Sequence, residues 1–270
     1  MDSSPDTPGL DSTARFSGRA QAYASGRPGY PPQIAAHLAR ELDLPPGAVI
    51  VDLGSGTGLS SLIFLQAGFQ VIGVEPNAQM RAQGERALAG LAGFRSVDGN
   101  AQATTLDDAC ADCVIAAQAF HWFDLGATRT EALRILRGPP RAALIWNVRR
   151  TDESDFSRGY EQLLLQYGTE YPQIRERHTD EDSIGAFFGG ALFHRSEFEH
   201  VTELDFELLT ARVSSASYLP APDHSAYAPM MSALRQLFDS MQRGGRVQMQ
   251  YDARVYFGLI QTPRTADSGH

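Results

Sequence analysis

The stretch Val51-Asp-Leu-Gly-Ser-Gly-Thr-Gly58 separates two apolar segments of different character. Residues 48–53 form a short apolar run after Pro45-Pro46-Gly47, which predicts a buried β-strand. Residues 59–67 form an apolar helix that Gly68 closes. Glycines between a strand and a helix let the backbone turn tightly and approach a ligand, and the amides at the helix start favour a negative group. The stretch therefore predicts a ligand-binding strand–loop–helix unit.

Strand-like and helix-like segments alternate over the following residues. We predict strands at 70–75, 94–98, 112–118 and 141–147, and helices that begin at Pro76-Asn77 and span 125–136. This alternation indicates right-handed βαβ units and a parallel sheet that helices cover on both faces. Ligands of such sheets bind at the carboxyl ends of the strands. The candidate ligand-binding residues are therefore those that follow each strand.

The pattern changes after residue 150. We predict a helix at 155–168, one or two strands at 198–213, a helix at 225–241 and a last strand at 247–260. The predicted fold is one α/β, Rossmann-like domain over 15–262 with a seven-stranded, mostly parallel sheet. It divides into lid helices (15–44), a cofactor-binding core (48–150), a helical cap insertion (151–195) and the C-terminal part of the sheet (196–262). Residues 1–14 and 263–270 are predicted to be disordered tails.

Composition excludes several functions. The chain has 270 residues, and all 23 of its Lys and Arg residues are arginine, which excludes a lysine Schiff base and an ordinary P-loop. The net charge of −9 and the pI near 5.2 are not typical of a protein that binds duplex nucleic acid, which usually presents a basic surface. The sequence shows neither a transmembrane run nor a signal peptide, so we expect a cytoplasmic protein with no membrane partner. We predict no metal site, because Cys110 and Cys113 have no second cysteine pair. Monomer and homodimer both remain open.

An acidic residue completes the nucleotide-binding layout. Glu75 ends the second predicted strand, where a carboxylate can accept hydrogen bonds from both ribose hydroxyls. The dinucleotide fingerprint is G-x-G-x-x-G, whereas the order here is G-x-G-x-G. An NAD-dependent oxidoreductase is therefore a distant alternative.

The glycine order after Val-Asp-Leu resembles the first motif of class I S-adenosylmethionine (SAM)-dependent methyltransferases. Over about residues 15–150 the chain also looks like the small-molecule methyltransferases related to trans-aconitate methyltransferase. Four stretches carry this likeness: Phe16-Ser-Gly-Arg-Ala-Gln-Ala-Tyr23, Arg27-Pro-Gly-Tyr-Pro31, Gln118-Ala-Phe-His-Trp-Phe-Asp124 and Ala143-Leu-Ile-Trp-Asn147. The resemblance implies SAM as cofactor and in-line methyl transfer to a small molecule.

The resemblance also implies roles for individual residues. Glu75 would hold the ribose, and Asn100, where the family usually has an acidic residue, would accept a hydrogen bond from adenine N6 through its side-chain carbonyl. Gln118 and His121 would face the sulfonium and the substrate, with His121 as the candidate general base and Asn147 as a further catalytic candidate. The other implied cofactor residues are Gly54, Ser55, Gly56 and Gly58 in the loop, Asn77 and Met80 beside the adenine, Ala101 after the third strand, and Tyr23 and Arg27 on the lid.

The predicted cap carries aromatic and cationic residues that suit a polar, carboxylated substrate. The candidates are Trp122, Arg149, Arg150, Tyr160, Tyr167 and Tyr171. Aromatic helix packing and a solvated charged face explain the same residues equally well. A further alternative keeps SAM but attacks its aminocarboxypropyl carbon, even by ring closure, and releases methylthioadenosine. A binding protein without turnover is the last alternative.

Overall fold

The fold is built on a central seven-stranded sheet. The computed structural model describes residues 26–169, 171 and 180–261, so the predicted cofactor residue Tyr23 lies outside the described residues. The strands are β1 (Val49–Leu53), β2 (Gln70–Val74), β3 (Phe94–Val97), β4 (Ala111–Ala117), β5 (Leu136–Arg149), β6 (Phe193–Leu204) and β7 (Val247–Leu259). The helices are α1 (Gln33–Glu41), α2 (Leu59–Gln66), α3 (Ala78–Leu88), α4 (Leu125–Ile135), α5 (Asp155–Tyr167), α6 (Glu181–Phe187), α7 (Phe206–Ser215) and α8 (Tyr227–Met241).

The strand order confirms the predicted Rossmann-like class. The strands run β3-β2-β1-β4-β5-β7-β6, and β7 is antiparallel to both of its neighbours while the other pairs are parallel. The carboxyl ends of β1, β2, β4 and β5 consequently share one edge of the sheet. The loops that follow these four strands can therefore meet around one ligand.

Two apolar cores cover the two faces of the sheet, as the continuous apolar strands predict. Along β1, Ile50 packs into the core that contains α1 and α2, and Val51 packs into the core on the other face. The alternation follows from the two-residue period of a strand. A third core joins α5, α7 and α8 to β7, with Leu234 and Met249 fully buried. These cores make the sheet edge a rigid platform for the loops.

The sequence interpretation of residues 198–213 was wrong in part. Strand β6 begins at Phe193, inside the predicted cap, and ends at Leu204, after which residues 206–215 form helix α7. Asp205 starts this helix because its side chain accepts a hydrogen bond from the amide of Leu208 at 2.9 Å. A short helix directly after a strand carries too few residues for its period to stand out.

Candidate functional site

The glycine-rich loop turns sharply between β1 and α2. Gly54, Gly56 and Gly58 all have positive φ angles, of 68°, 56° and 84°. A Cβ on Gly54 would lie 2.7 Å from Ala119 Cβ, and one on Gly58 would lie 2.6 Å from Leu88 Cδ1. Glycine is therefore required for both the backbone angle and the close packing. The loop brings its backbone to the shared edge of the sheet.

Glu75 stands at the carboxyl end of β2 and joins this loop to the next one. Its two carboxylate oxygens accept hydrogen bonds from the amides of Gly56, at 2.9 Å, and Asn77, at 2.8 Å. Burial raises the pKa of Glu75, and the two amide bonds act against that rise. Each oxygen retains a lone pair, so the carboxylate can also accept from ligand hydroxyls.

A cavity of about 230 Å³ opens above the glycine loop, and we call it the glycine-loop cavity. Asn77 caps helix α3 by accepting from the amides of Gln79 and Met80, which brings Met80 to the cavity wall. Of the predicted cofactor residues, those on this cavity are Gly54, Gly56, Glu75, Asn77, Met80, Asn100, Ala101 and Gln118. The structure thus collects residues from the ends of four strands around one space.

The interpretation of Asn100 needs a correction. Its side-chain oxygen already accepts hydrogen bonds from the amides of Gln102, at 3.0 Å, and Ala103, at 2.9 Å. Only the amide nitrogen of the side chain remains available to a ligand, and this group is a donor. Asn100 therefore does not serve as the predicted acceptor for an adenine amine.

A larger cavity of about 400 Å³ borders the first one, and we call it the tyrosine cavity. Gln118, which has a φ of 56°, lines both cavities, and its side-chain nitrogen donates to the backbone oxygen of Asn147 at 3.0 Å. Positive φ in a non-glycine residue is a strained conformation that occurs often at functional sites. The polar and aromatic lining comprises Arg27, Tyr30, Gln118, Asn147, Arg149, Thr151, Tyr160, Tyr171, Arg212, Tyr218, Tyr251 and Arg254.

Asn147 acts as an anchor beneath this cavity. Its side-chain nitrogen donates to the carbonyl of Gly29 at 3.0 Å, and its side-chain oxygen accepts from His200 Nε2 at 3.0 Å. These bonds tie strand β5 to the segment before α1 and to β6. The side chain of this predicted catalytic residue is thus engaged in holding the walls of the tyrosine cavity together.

Arg212 carries a buried positive charge into the tyrosine cavity. Only 7% of the residue is exposed, and its guanidinium donates to the carbonyl of Gly26 at 2.6 Å and to the hydroxyl of Tyr251 at 2.5 Å. Within the described part of the chain it forms no ion pair with a carboxylate. Burying an unpaired charge is costly, so this arrangement suits an anionic ligand that completes the pair.

The neighbouring arginines differ because carboxylates neutralise them. Arg149 forms a buried ion pair with Glu161, and it also donates to the hydroxyl of Tyr171 at 2.9 Å. Arg254 donates to Glu197 at 2.9 Å. Arg212 is therefore distinct among these three cations in its lack of an acidic partner within the described residues.

Several predicted residues lie elsewhere. His121 lines neither of the two cavities but a third one, with Trp146 and Asp180, so this arrangement does not support a general base at the methyl group. Arg150 points away from Arg149, as strand alternation requires, and pairs with Asp252 at 2.7 Å. Tyr167 lines a separate surface cavity, and Arg27 lines the tyrosine cavity instead of the cofactor side. Ser55 and Gly58 belong to the loop but do not line the glycine-loop cavity; Ser55 packs close to Gly73 and Gly58 packs close to Leu88.

Six of the polar and aromatic residues that line the tyrosine cavity were not predicted from the sequence: Tyr30, Thr151, Arg212, Tyr218, Tyr251 and Arg254. The last four follow residue 200, where the sequence was interpreted mainly as structural elements. Arg212 was placed on a strand, and nothing in its local sequence marks it as buried. Only the packing of α7 against β7 reveals its position.

Two features are absent from the described residues. None of their helices is long and apolar enough to cross a membrane. No group of three or more His, Cys, Asp or Glu side chains lies close enough to hold a metal ion in the same part of the chain.

Comparisons with known proteins show similarity in sequence and in fold to methyltransferases. Residues 51–139 match the family model described as a methyltransferase domain. The chain is 28% identical to an uncharacterized methyltransferase of Mycobacterium bovis, over 84% of this chain and 86% of the relative. It is 34% identical to an uncharacterized methyltransferase of Schizosaccharomyces pombe, over 47% of this chain and 50% of the relative. Among solved structures, a protein of Anaeromyxobacter dehalogenans superposes with a TM-score of 0.63 and 22% identity, over 88% of this chain and 99% of that one. A SAM-dependent methyltransferase of Aquifex aeolicus gives a TM-score of 0.51 and 14% identity, over 90% and 98%. The two structures show the fold alone.

Proposed function

The chain belongs to the class I SAM-dependent methyltransferases, and from that premise we propose that it methylates a small anionic molecule bound in the tyrosine cavity. SAM supplies an electrophilic methyl group on a good leaving group, so the protein mainly provides alignment and exclusion of water. The observation that carries the proposal is the buried Arg212, which has no carboxylate partner among the described residues.

The glycine-loop cavity fits the cofactor. Gly54 and Gly56 offer backbone at close range, and Glu75 offers carboxylate lone pairs for ribose hydroxyls. Met80 and Phe123 provide apolar surface for a base. A Cβ on Gly56 would approach Met80 Cε at 3.4 Å, so a side chain there would narrow the space that a nucleoside needs.

The tyrosine cavity lies where an acceptor must lie. Gln118 lines both cavities, which makes it the boundary across which a methyl group would pass. Arg212 would bind the anionic group of the acceptor, and the tyrosine rings would cover its body and keep water out. The volume of about 400 Å³ is that of a small-molecule site.

The chemistry of the lining favours a nucleophile that is already deprotonated. The described lining of the tyrosine cavity contains no His, Asp, Glu or Cys. Burial raises the pKa of Tyr218 to about 12 and also raises the pKa of Tyr160 and Tyr251, so these hydroxyls stay protonated near neutral pH. A carboxylate acceptor is already deprotonated near neutral pH, so it needs no base in the lining, and its negative charge also suits Arg212.

An assay with labelled SAM tests this proposal. Purified protein is incubated with pairs that differ only in charge, such as benzoate and benzamide or succinate and succinamide, and S-adenosylhomocysteine (SAH) is quantified. We expect SAH with members of the acid series and none with their amides. In the variant Arg212→Met the acid-dependent turnover should fall at least tenfold. Arg150→Met, which changes a half-buried arginine with acidic partners outside both cavities, should retain it. Turnover with amides or amines alone, or release of methylthioadenosine, would contradict the proposal.

A further inference from the structure

The connection between β3 and β4 forms one wall of the glycine-loop cavity. Asn100, Ala101 and Gln102 line the cavity, and the tip of the connection closes on itself through reciprocal backbone hydrogen bonds between Asn100 and Ala103, both of 3.2 Å. Together with the bonds to Asn100 Oδ1, these contacts fix the shape of the tip. They do not fix its position relative to the rest of the cavity.

Near its tip, this wall is attached to helix α4 through one carboxylate oxygen, and further along, the amides of Ala109 and Cys110 donate to the last carbonyls of the helix. Thr104 is fully buried, and both its amide and its hydroxyl donate to Glu131 Oε1, at 2.7 Å and 2.5 Å. Packing limits any compensating shift, because a Cβ on Gly99 would lie 2.8 Å from the carbonyl oxygen of Thr104. Glu131 is therefore the contact with α4 that lies nearest to the cavity-lining residues 100–102 of the wall.

Glu131 is itself held in place. Arg134, one turn further along α4, donates to both of its oxygens, at 2.8 Å and 2.7 Å, and reaches Asp108 on the same connection at 2.5 Å. The hydrogen bonds from Arg134 and Thr104 lower the pKa of Glu131 to about 2 despite its burial. The carboxylate is thus ionised at any ordinary pH, and charged acceptors make the stronger hydrogen bonds.

We propose that Glu131, which lines neither cavity, is a positioning residue for the nucleoside end of SAM and acts by fixing the 100–103 wall through Thr104. Helix α4 starts directly after residues 118–123, which contribute Gln118, Trp122 and Phe123 to the same cavity. The helix therefore carries one wall at its start and holds a second wall through Glu131. The inference rests on SAM binding and is independent of the identity of the acceptor.

Calorimetric titration with SAH and with adenosine tests the inference without any turnover. Removal of two hydrogen bonds to a charged group in Glu131→Ala should raise the dissociation constant of SAH about tenfold, which corresponds to ~1.4 kcal/mol. Adenosine should weaken by the same factor, because the wall belongs to the nucleoside end. Glu131→Gln keeps an acceptor for Thr104 and should recover most of the affinity. Thr104→Val removes only the hydroxyl donor and should have an intermediate effect.

Asp112 offers a matched control at the opposite end of the sheet. It is as buried as Glu131, accepts from the amide of Val49 at 2.8 Å and pairs with Arg137, but it lies at the amino end of β4. Asp112→Ala should therefore lower the melting temperature while SAH affinity stays within twofold. If Glu131→Ala and Thr104→Val bind SAH as tightly as the control does, the proposal is overturned. Should Glu131→Ala fail to fold, Thr104→Val decides: SAH affinity weaker than that of the Asp112→Ala control supports the proposal, and an equal affinity overturns it.

Discussion

The same substitution at two buried arginines of the tyrosine cavity should change the stability of the protein by very different amounts. Arg149 has a carboxylate partner in Glu161, and Arg212 has none within the described residues. Replacing each with methionine removes the charge and keeps much of the apolar volume. The comparison isolates the effect of a counter-ion, because both arginines are almost fully buried and face the same cavity.

The magnitudes follow from what each substitution leaves behind. Arg149→Met removes the cation from buried Glu161, and breaking such a pair costs about 3–5 kcal/mol. At about 2–4 °C per kcal/mol for a domain of this size, the melting temperature should fall by about 6–20 °C. Arg212→Met loses hydrogen bonds to Gly26 and Tyr251, each worth about 1 kcal/mol, but also removes an uncompensated charge. The two effects offset each other, so its melting temperature should stay within about 5 °C of the wild type.

Thermal unfolding followed by circular dichroism measures both variants. The double variant Arg149→Met/Glu161→Leu removes the whole pair and should recover a large part of the stability that the single variant loses. The reasoning is refuted if Arg212→Met destabilises the protein as strongly as Arg149→Met does. That result would mean that Arg212 is already compensated, and the argument for an anionic acceptor would lose its basis.

Three further predictions concern single residues. Glu75→Ala should weaken SAH binding more than tenfold in calorimetry, because charge-assisted hydrogen bonds of about 1.5–3 kcal/mol are lost, and an unchanged affinity would exclude a ribose role. His121→Ala should keep its turnover within about threefold of the wild type in the SAH-release assay, because His121 lies in the third cavity; a larger loss would restore its role as a base. Burial raises the pKa of Asp52 to about 6, so the protonated form stabilises the fold below pH 4 and this contribution is lost as the pH rises to 6. The stability of Asp52→Asn relative to the wild type should therefore increase by up to about 3 kcal/mol between pH 4 and 7 in denaturant titrations, and a flat difference would contradict the shift.

The sequence predicted the first half of the fold well because two local signals agree there. The apolar run of β1 and the glycine loop each indicate a buried strand followed by a helix, and Gly54, Gly56 and Gly58 do adopt positive φ angles. After residue 150 such agreement is missing. The charged, half-buried strand β6 and the short helix α7 were interpreted together as strand, because the ten residues of α7 are too few for a helical period to stand out after the alternation of β6.

Some residues of the candidate site could likewise be predicted from the sequence, and others could not. Glu75 and the loop glycines could be assigned because their position after a strand determines where they lie. Arg150 and Arg149 could not be separated in advance, since the side of the strand on which each falls depends on the register of β5 with β7. Arg212 could not be found at all, because its burial depends on contacts with Gly26 and Tyr251, which are distant in sequence.

The two cavities carry complementary charge, and this bears on catalysis. The glycine-loop cavity presents the carboxylate of Glu75, the tyrosine cavity presents the cation of Arg212, and the neutral amide of Gln118 stands between them. When an anion attacks a sulfonium, both charges diminish in the transition state, so a site with little water favours the reaction more than bulk solvent does. Arg212 would hold one oxygen of the acceptor's anionic group. The other oxygen, which attacks the methyl group, would then be less solvated than it is in bulk water. On this reasoning, the unpaired Arg212 costs stability in the free protein and contributes alignment when the acceptor is bound.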